Sequence, residues 1–162
     1  MALKRLPEDF KDFLKFLNSN GVKYLLLGGW AVGVYGYPRA TGDMDVLIAT
    51  DEENLNRLLK AFFEFGAPTI AKDHLKEKGN VFRMGRSPLK IDVINEASGI
   101  DIEDCYLRRN MIHIDGIDIS VISIEDLLIN KKALGRAKDI ADIENLEDLS
   151  DSIRKKTRRK TG

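Results

Sequence analysis

Several residue types that build familiar sites are scarce in this chain. Cys105 is the only cysteine among 162 residues, which excludes an intrachain disulfide and a thiolate metal site. His74 and His113 are the only histidines, and neither has a nucleophile partner, which argues against a histidine triad or a zinc centre. No apolar run approaches the ~18 residues that a membrane helix needs. The start Met1-Ala2-Leu3-Lys4-Arg5-Leu6-Pro7 is basic but has no apolar h-region or cleavage site, unlike a secretory signal. A cytoplasmic protein with no membrane partner is the expectation. Internal repeats and low-complexity linkers are also missing. So are two phosphate motifs: there is no Gly-Lys-Ser/Thr triplet, and Gly28-Gly29-Trp30-Ala31-Val32-Gly33 does not match Gly-x-Gly-x-x-Gly.

Net charge is zero, with 26 basic and 26 acidic residues, yet it is unevenly placed. Arg154-Lys155-Lys156-Thr157-Arg158-Arg159-Lys160 holds six of the basic residues, leaving 20 against 26 acidic ones before it. Such a run repels itself and is expected to be disordered, with contact to phosphate backbones as the alternative. Hydrophobic residues make up 43%, enough for the core of one domain. Residues 1–150 are expected to form that unit, and 151–162 a basic tail.

Periodicity places the elements. Phe10, Phe13, Leu14 and Leu17 mark a helix over about 8–20. Tyr24 to Leu27 reads as a buried strand, followed by a helix from Trp30 to Tyr35. Met44 to Ala49 reads as a strand, and Leu55, Leu58, Leu59, Phe62 and Phe63 as a helix after Thr50-Asp51. Residues 68–79 lack a period and read as a loop able to cover a cleft. Hairpins are expected for 81–84 with 89–94, and for 111–114 with 117–121 around Asp115-Gly116. Ser123 opens a helix to about Gly135 with a variant of the capping box, and a last helix runs from Asp139 to about Leu149. The class is α+β with a mixed or antiparallel sheet.

Three carboxylates stand out on this frame. Asp43 and Asp45 lie two apart at the start of a strand and so share a face. Asp92 interrupts the apolar run Ile91 to Ile94, where an unpaired charge is costly. If its strand lies beside that of Asp45, the three converge, and a hard cation relieves their repulsion. Gly28-Gly29 sits between strand and helix, a context in which backbone approaches phosphate closely.

Gly28-Gly29-Trp30-Ala31-Val32, Tyr37-Pro38-Arg39-Ala40-Thr41-Gly42-Asp43-Met44-Asp45 and Lys90-Ile91-Asp92-Val93-Ile94 together resemble the DNA polymerase β-type nucleotidyltransferase superfamily. Ile124-Glu125-Asp126-Leu127-Leu128-Ile129-Asn130-Lys131, with Arg136, Lys138-Asp139 and Asp142, is similar to a small bacterial group that includes lincosamide nucleotidyltransferases and AbiEii-type toxins of toxin–antitoxin systems. The resemblance implies a nucleotidyltransferase-like mixed sheet with helices packed on it. It implies Mg²⁺, two ions, with an NTP such as ATP as substrate and transfer of NMP to an acceptor hydroxyl. Asp43, Asp45 and Asp92 would be the catalytic and metal-ligating residues, and Gly28 and Gly29 would hold phosphates. Lys131 would neutralise phosphate charge, against a solvated helix lysine as the plain alternative. Arg39 and Thr41 would brace the turn before Asp43 or touch phosphate, and Trp30 would shape the core or stack on a base. Arg136, Asp139 and Asp142 are expected to form an ion-pair cluster beside the site. Longer relatives add a helical domain for the acceptor, so recognition of a small molecule, tRNA or protein is expected from a second subunit, from 68–79 or from the basic tail. A cognate antitoxin and a second copy of the chain, in a homo-dimer, are further expected partners. A non-catalytic nucleotide- or partner-binding component and an RNA-binding protein remain as alternatives.

Overall fold

A computed structural model describes residues 5–37, 42–86 and 88–161. The helices are α1 (Glu8–Ser19), α2 (Gly28–Val34), α3 (Glu52–Phe65), α4 (Lys72–Lys76), α5 (Ile102–Leu107), α6 (Ile124–Leu134) and α7 (Ile140–Thr161). The strands are β1 (Tyr24–Leu27), β2 (Asp43–Ile48), β3 (Val81–Arg86), β4 (Leu89–Ile94), β5 (Asn110–Ile114) and β6 (Ile117–Val121). They form one mixed sheet in the order β3-β4-β2-β1-β6-β5. β2 and β4 run parallel, as do β1 and β6, while the other neighbours are antiparallel. None of the described helices is long and apolar enough to cross a membrane.

The two-residue period of the central strands divides the sheet into two unlike faces. Register places Met44 beside Ile91 and Met84, and Val46 beside Val93 and Phe82. These rows form an apolar face. Phe82 meets Phe62 of α3 at 5.0 Å between ring centroids, and Phe62 lies 6.0 Å from Phe13 of α1, so α1 and α3 cover that face with their apolar stripes. The alternate rows carry Asp43 beside Lys90, and Asp45 beside Asp92 and Arg83. Polar residues that look misplaced in apolar runs therefore all emerge on the opposite face.

Caps and polar ties hold the helices in register with the sheet. Asp51 accepts from the Asn54 N–H at the start of α3, and Gly66 ends that helix in the left-handed conformation. Asn54 is buried; its amide accepts from the Lys23 N–H at 2.7 Å and donates to the carbonyls of Lys23 and Ala49. It thus ties α3 to the edges of β1 and β2. Ser123 accepts from the Asp126 N–H at the start of α6. The Asp126 carboxylate does not complete the expected box; it receives both arms of Arg108, at 2.9 and 3.1 Å.

The structure corrects several expected boundaries. α2 starts at Gly28, so the glycine pair forms its first turn rather than preceding it. α4 interrupts the expected loop over 68–79, its Leu75 drawn into the core. α5 carries no clear period because only Cys105 on it is buried. The last helix does not end near Leu149, and the stretch expected to be disordered continues α7 to Thr161. Helical hydrogen bonds along one uninterrupted helix offset the repulsion among neighbouring cations.

Asn54→Ala is expected to lower stability by about 1–3 kcal/mol, because it removes the side-chain partner of the Lys23 N–H and of the buried Ala49 carbonyl. Urea unfolding monitored by circular dichroism measures it.

Candidate active site

The polar face of β2 and β4 is the floor of a cleft. Asp45 and Asp92 are direct cross-strand partners in the parallel pair, on strands roughly 4.8 Å apart. Asp43 lies two residues earlier on β2, on the same face. The condition set by the sequence, that Asp92 share a face with Asp43 and Asp45, is met by this register. Burial, then the carboxylates of Asp92 and Asp43, push the Asp45 carboxyl up to about 6, against smaller opposing effects from Arg136 and Lys131.

A cavity of about 330 Å³ over this floor is lined by Gly28, Gly29, Gly42, Asp43, Asp45, Asp92, Lys131, Arg136, Lys138 and Asp139. It adjoins a larger one of about 520 Å³, bounded also by Asn80, Asn95, Ser98 and Asn130. Gly28, Asp45, Lys131 and Arg136 line both. Gly28 has φ of +65°, and a Cβ there would lie 2.5 Å from Asp45 Oδ2. The backbone conformation favours glycine, and a Cβ there would press on the Asp45 carboxylate, so its absence leaves that carboxylate room.

Opposite the carboxylates stands a second group of charges. Lys131 is 2% exposed, and its ammonium lies 3.1 Å from Asp139 Oδ1 and 3.0 Å from Asp142 Oδ2. The half-exposed Arg136 guanidinium reaches Asp139 at 2.8 Å. Burial pushes the Asp139 carboxyl up, but hydrogen bonds from Arg136 and Lys131 outweigh it and hold the group at about 2. The expected ion-pair cluster is therefore present, with Lys131 at its centre. Lys131 is not the solvated helix lysine of the plain alternative. Its ammonium needs both carboxylates, since an unpaired buried charge would cost several kcal/mol.

The other sequence candidates separate. Gly29 joins Gly28 in the cavity wall. Trp30 lines neither cavity; its ring meets Phe10 edge-on, with centroids 5.2 Å apart. Arg39 and Thr41 lie outside the described residues. Sequence reasoning did not single out Arg83. Its Nε donates to Asp92 Oδ1 at 2.7 Å and its Nη2 to Oδ2 at 3.0 Å. The available signal was the 81–94 hairpin, but β3 extends two residues beyond its expected end at Met84, and that shift sets Arg83 opposite Asp92.

The residues fit a hard divalent cation in part. All the donors are carboxylate oxygens, Asp45 lies in a field that a cation would relieve, and Gly28 leaves its oxygen accessible. Asp43 and Asp45 suffice for an ion of the Mg²⁺ type, which takes one or two carboxylates and completes its shell with water and phosphate. Among the described residues, no three His, Cys, Asp or Glu side chains are grouped to hold a metal ion, and Arg83 occupies both oxygens of Asp92.

The six-stranded mixed sheet with helices packed on it is the architecture that the resemblance implied. The chain belongs to the family described as nucleotidyltransferases of unknown function (DUF6036), whose model matches residues 2–156. Two solved structures share the fold. One is a candidate nucleotidyltransferase (TM1012) from Thermotoga maritima, 15% identical, with a TM-score of 0.53 over 95% of this chain and 97% of that one. The other is the lincosamide antibiotic adenylyltransferase LnuA with lincomycin bound, 14% identical, with a TM-score of 0.54 over 90% of this chain and 98% of that one. Among curated proteins none matches the chain.

The raised Asp45 carboxyl makes a prediction about stability. A carboxyl raised by folding costs nothing below its unfolded value near 4 and its full penalty above about 6. Asp45→Asn is therefore expected to stabilise the fold above pH 6 by at most about 3 kcal/mol, and the gain should vanish below pH 4. Thermal unfolding of both proteins across that range measures it.

Proposed function

We propose that the protein transfers a nucleoside monophosphate from an NTP to an acceptor hydroxyl and releases pyrophosphate. The observation that carries this reading is the row of carboxylates, Asp45 facing Asp92 across two parallel strands with Asp43 on the same face. The open backbone of Gly28 beside Asp45 supports it. Family membership supports nucleotidyl transfer at the coarser level.

On this reading Asp43 and Asp45 hold Mg²⁺, two ions at full occupancy, and Asp92 joins them when Arg83 releases it. Bound there, the metal would supply Lewis-acid stabilisation of the attacking and leaving oxygens in an in-line displacement at the α-phosphate. The bond from acceptor oxygen to α-phosphorus forms as the bond to the β-phosphate bridging oxygen breaks, and the hydroxyl proton leaves toward a carboxylate. Asp92 is placed to orient that hydroxyl or accept its proton. The phosphate tail would approach closest at Gly28 and Gly29, where no side chain intervenes. Arg136 is half-exposed and lines both cavities, so its charge would meet the departing pyrophosphate directly. Lys131 would act by its field, its ammonium being held by Asp139 and Asp142. The larger cavity would take the nucleoside or the acceptor, with the amide oxygens of Asn80 and Asn130 in its wall, while the Asn95 amide is engaged by the backbone of Leu75, Glu77 and Gly79. The lincomycin-bound neighbour suggests small hydroxylated antibiotics as one acceptor class to try, beside tRNA and protein hydroxyls.

The test is incubation with each α-labelled NTP, Mg²⁺ and either a lysate or a panel of hydroxylated small molecules, followed by identification of the labelled product. Transfer is expected to fall at least ~100-fold in Asp43→Asn and Asp45→Asn, with unchanged circular dichroism. Full transfer by either variant would exclude the assignment.

A further inference from the structure

Arg83 stands out among the charged groups because it touches the site yet lines neither cavity. It lies on β3, the edge strand of the sheet, and about half of its side chain is exposed while that of Asp92 is 10% exposed. Its guanidinium forks the Asp92 carboxylate in the bidentate geometry that makes such pairs strong and directional. The hydrogen bonds to Asp92, and then its charge, hold the Arg83 guanidinium above its usual range. Asp92 needs a counter-charge, because burial with Asp45 alongside would otherwise leave two carboxylates facing each other in a poorly solvated row. A cation bound between the strands could supply that charge. Arg83 and such a cation would therefore supply the same charge to the same carboxylate, both of whose oxygens Arg83 now holds.

We propose that Arg83 is a stand-in counter-charge that competes with a divalent cation for the Asp92 carboxylate, so that the third carboxylate joins the site only when Arg83 swings away from it. The inference rests on the proposed metal-dependent transfer and adds a positioning residue to it. Several features make the exchange feasible. Among the described residues the Arg83 side chain hydrogen-bonds to Asp92 alone, it emerges from an edge strand, and solvent already reaches it. Releasing it moves a flexible arm into water and leaves the sheet undisturbed. Among the described residues no arginine forks Asp43 or Asp45, and these two would form the resident part of the site. A purely structural pairing of Arg83 with Asp92 would also satisfy Asp92, but it makes no claim on metal affinity, and that difference separates the two.

The experiment measures Mn²⁺ binding by electron paramagnetic resonance of the free ion, with the metal alone and no nucleotide, on wild type, Arg83→Gln and Arg86→Gln. Arg86 lies on the same strand and is exposed, so its loss controls for the removal of one positive charge. Arg83→Gln is expected to bind Mn²⁺ about tenfold more tightly than wild type, the worth of one partly exposed forked pair. Arg86→Gln should change affinity less than about twofold. Mn²⁺ should also raise the melting temperature of Arg83→Gln more than that of wild type, because it restores the counter-charge Asp92 has lost. Equal affinities in wild type and Arg83→Gln, or equal gains in both variants, would overturn the competition while leaving metal-dependent transfer intact. Absence of Mn²⁺ binding in all three proteins would overturn the competition as well, and the transfer reading is then decided by the labelled-NTP experiment alone. If Arg83→Gln does not fold, Arg83→Lys keeps the charge, gives up the fork and is judged by the same criteria, with an expected gain of about threefold.

Discussion

Repulsion between the carboxylates of Asp45 and Asp92 is the interaction around which the polar half of this molecule is arranged. Parallel pairing of β2 and β4 sets the two side by side with little water to screen them. Left alone, such a row would loosen the centre of the sheet. Three features contain it. Arg83 neutralises Asp92 from the edge strand, Arg136 and Lys131 offset part of the charge felt by Asp45, and Asp45 retains a raised affinity for a proton. The tension that remains is the property expected of a site whose missing charge arrives with its substrate.

The counter-charges are themselves held in place. Lys131 would be the natural cation to approach Asp45, yet its ammonium is bound to Asp139 and Asp142. Arg136 shares Asp139 with it. The cluster pins the end of α6 to the 3₁₀ turn Ala137–Asp139 and to the first turn of α7, and so fixes the wall of the cleft relative to its floor. A phosphate entering here would meet charge already organised at fixed positions, which lowers the cost of reorganisation during a reaction. The pairing also limits Lys131, whose direct engagement of a ligand would require surrendering a buried partner.

The sheet solves a conflict between stability and chemistry by separating them onto its two faces. Met44, Val46, Phe82, Met84, Ile91 and Val93 bury one face under α1 and α3. Asp43, Asp45, Asp92 and Arg83 occupy alternate positions on the same strands. Each acidic residue is flanked by apolar neighbours because the chain alternates between core and cleft. The charges thus impose their cost on the open face and leave the packed face intact.

Much of this was readable along the chain. Asp43-Met44-Asp45 and Ile91-Asp92-Val93 show the two-residue alternation directly, and the mixed sheet, both hairpins and the helices flanking Asn20-Gly21 and Gly135 follow from periodicity and turn chemistry. Local sequence determined which residues are polar on an apolar strand and where strands end, because backbone conformation and side-chain alternation depend on near neighbours. Only tertiary structure decided that Asp45 and Asp92 stand in register, that Arg83 forks Asp92, that Lys131 is buried between two carboxylates, and that Trp30 faces Phe10 rather than the cleft. Those outcomes depend on strand order, on a two-residue extension of β3 and on the packing of α6 against α7. Each brings together groups far apart in the chain, whose meeting is set by the sum of many contacts and encoded in no single segment.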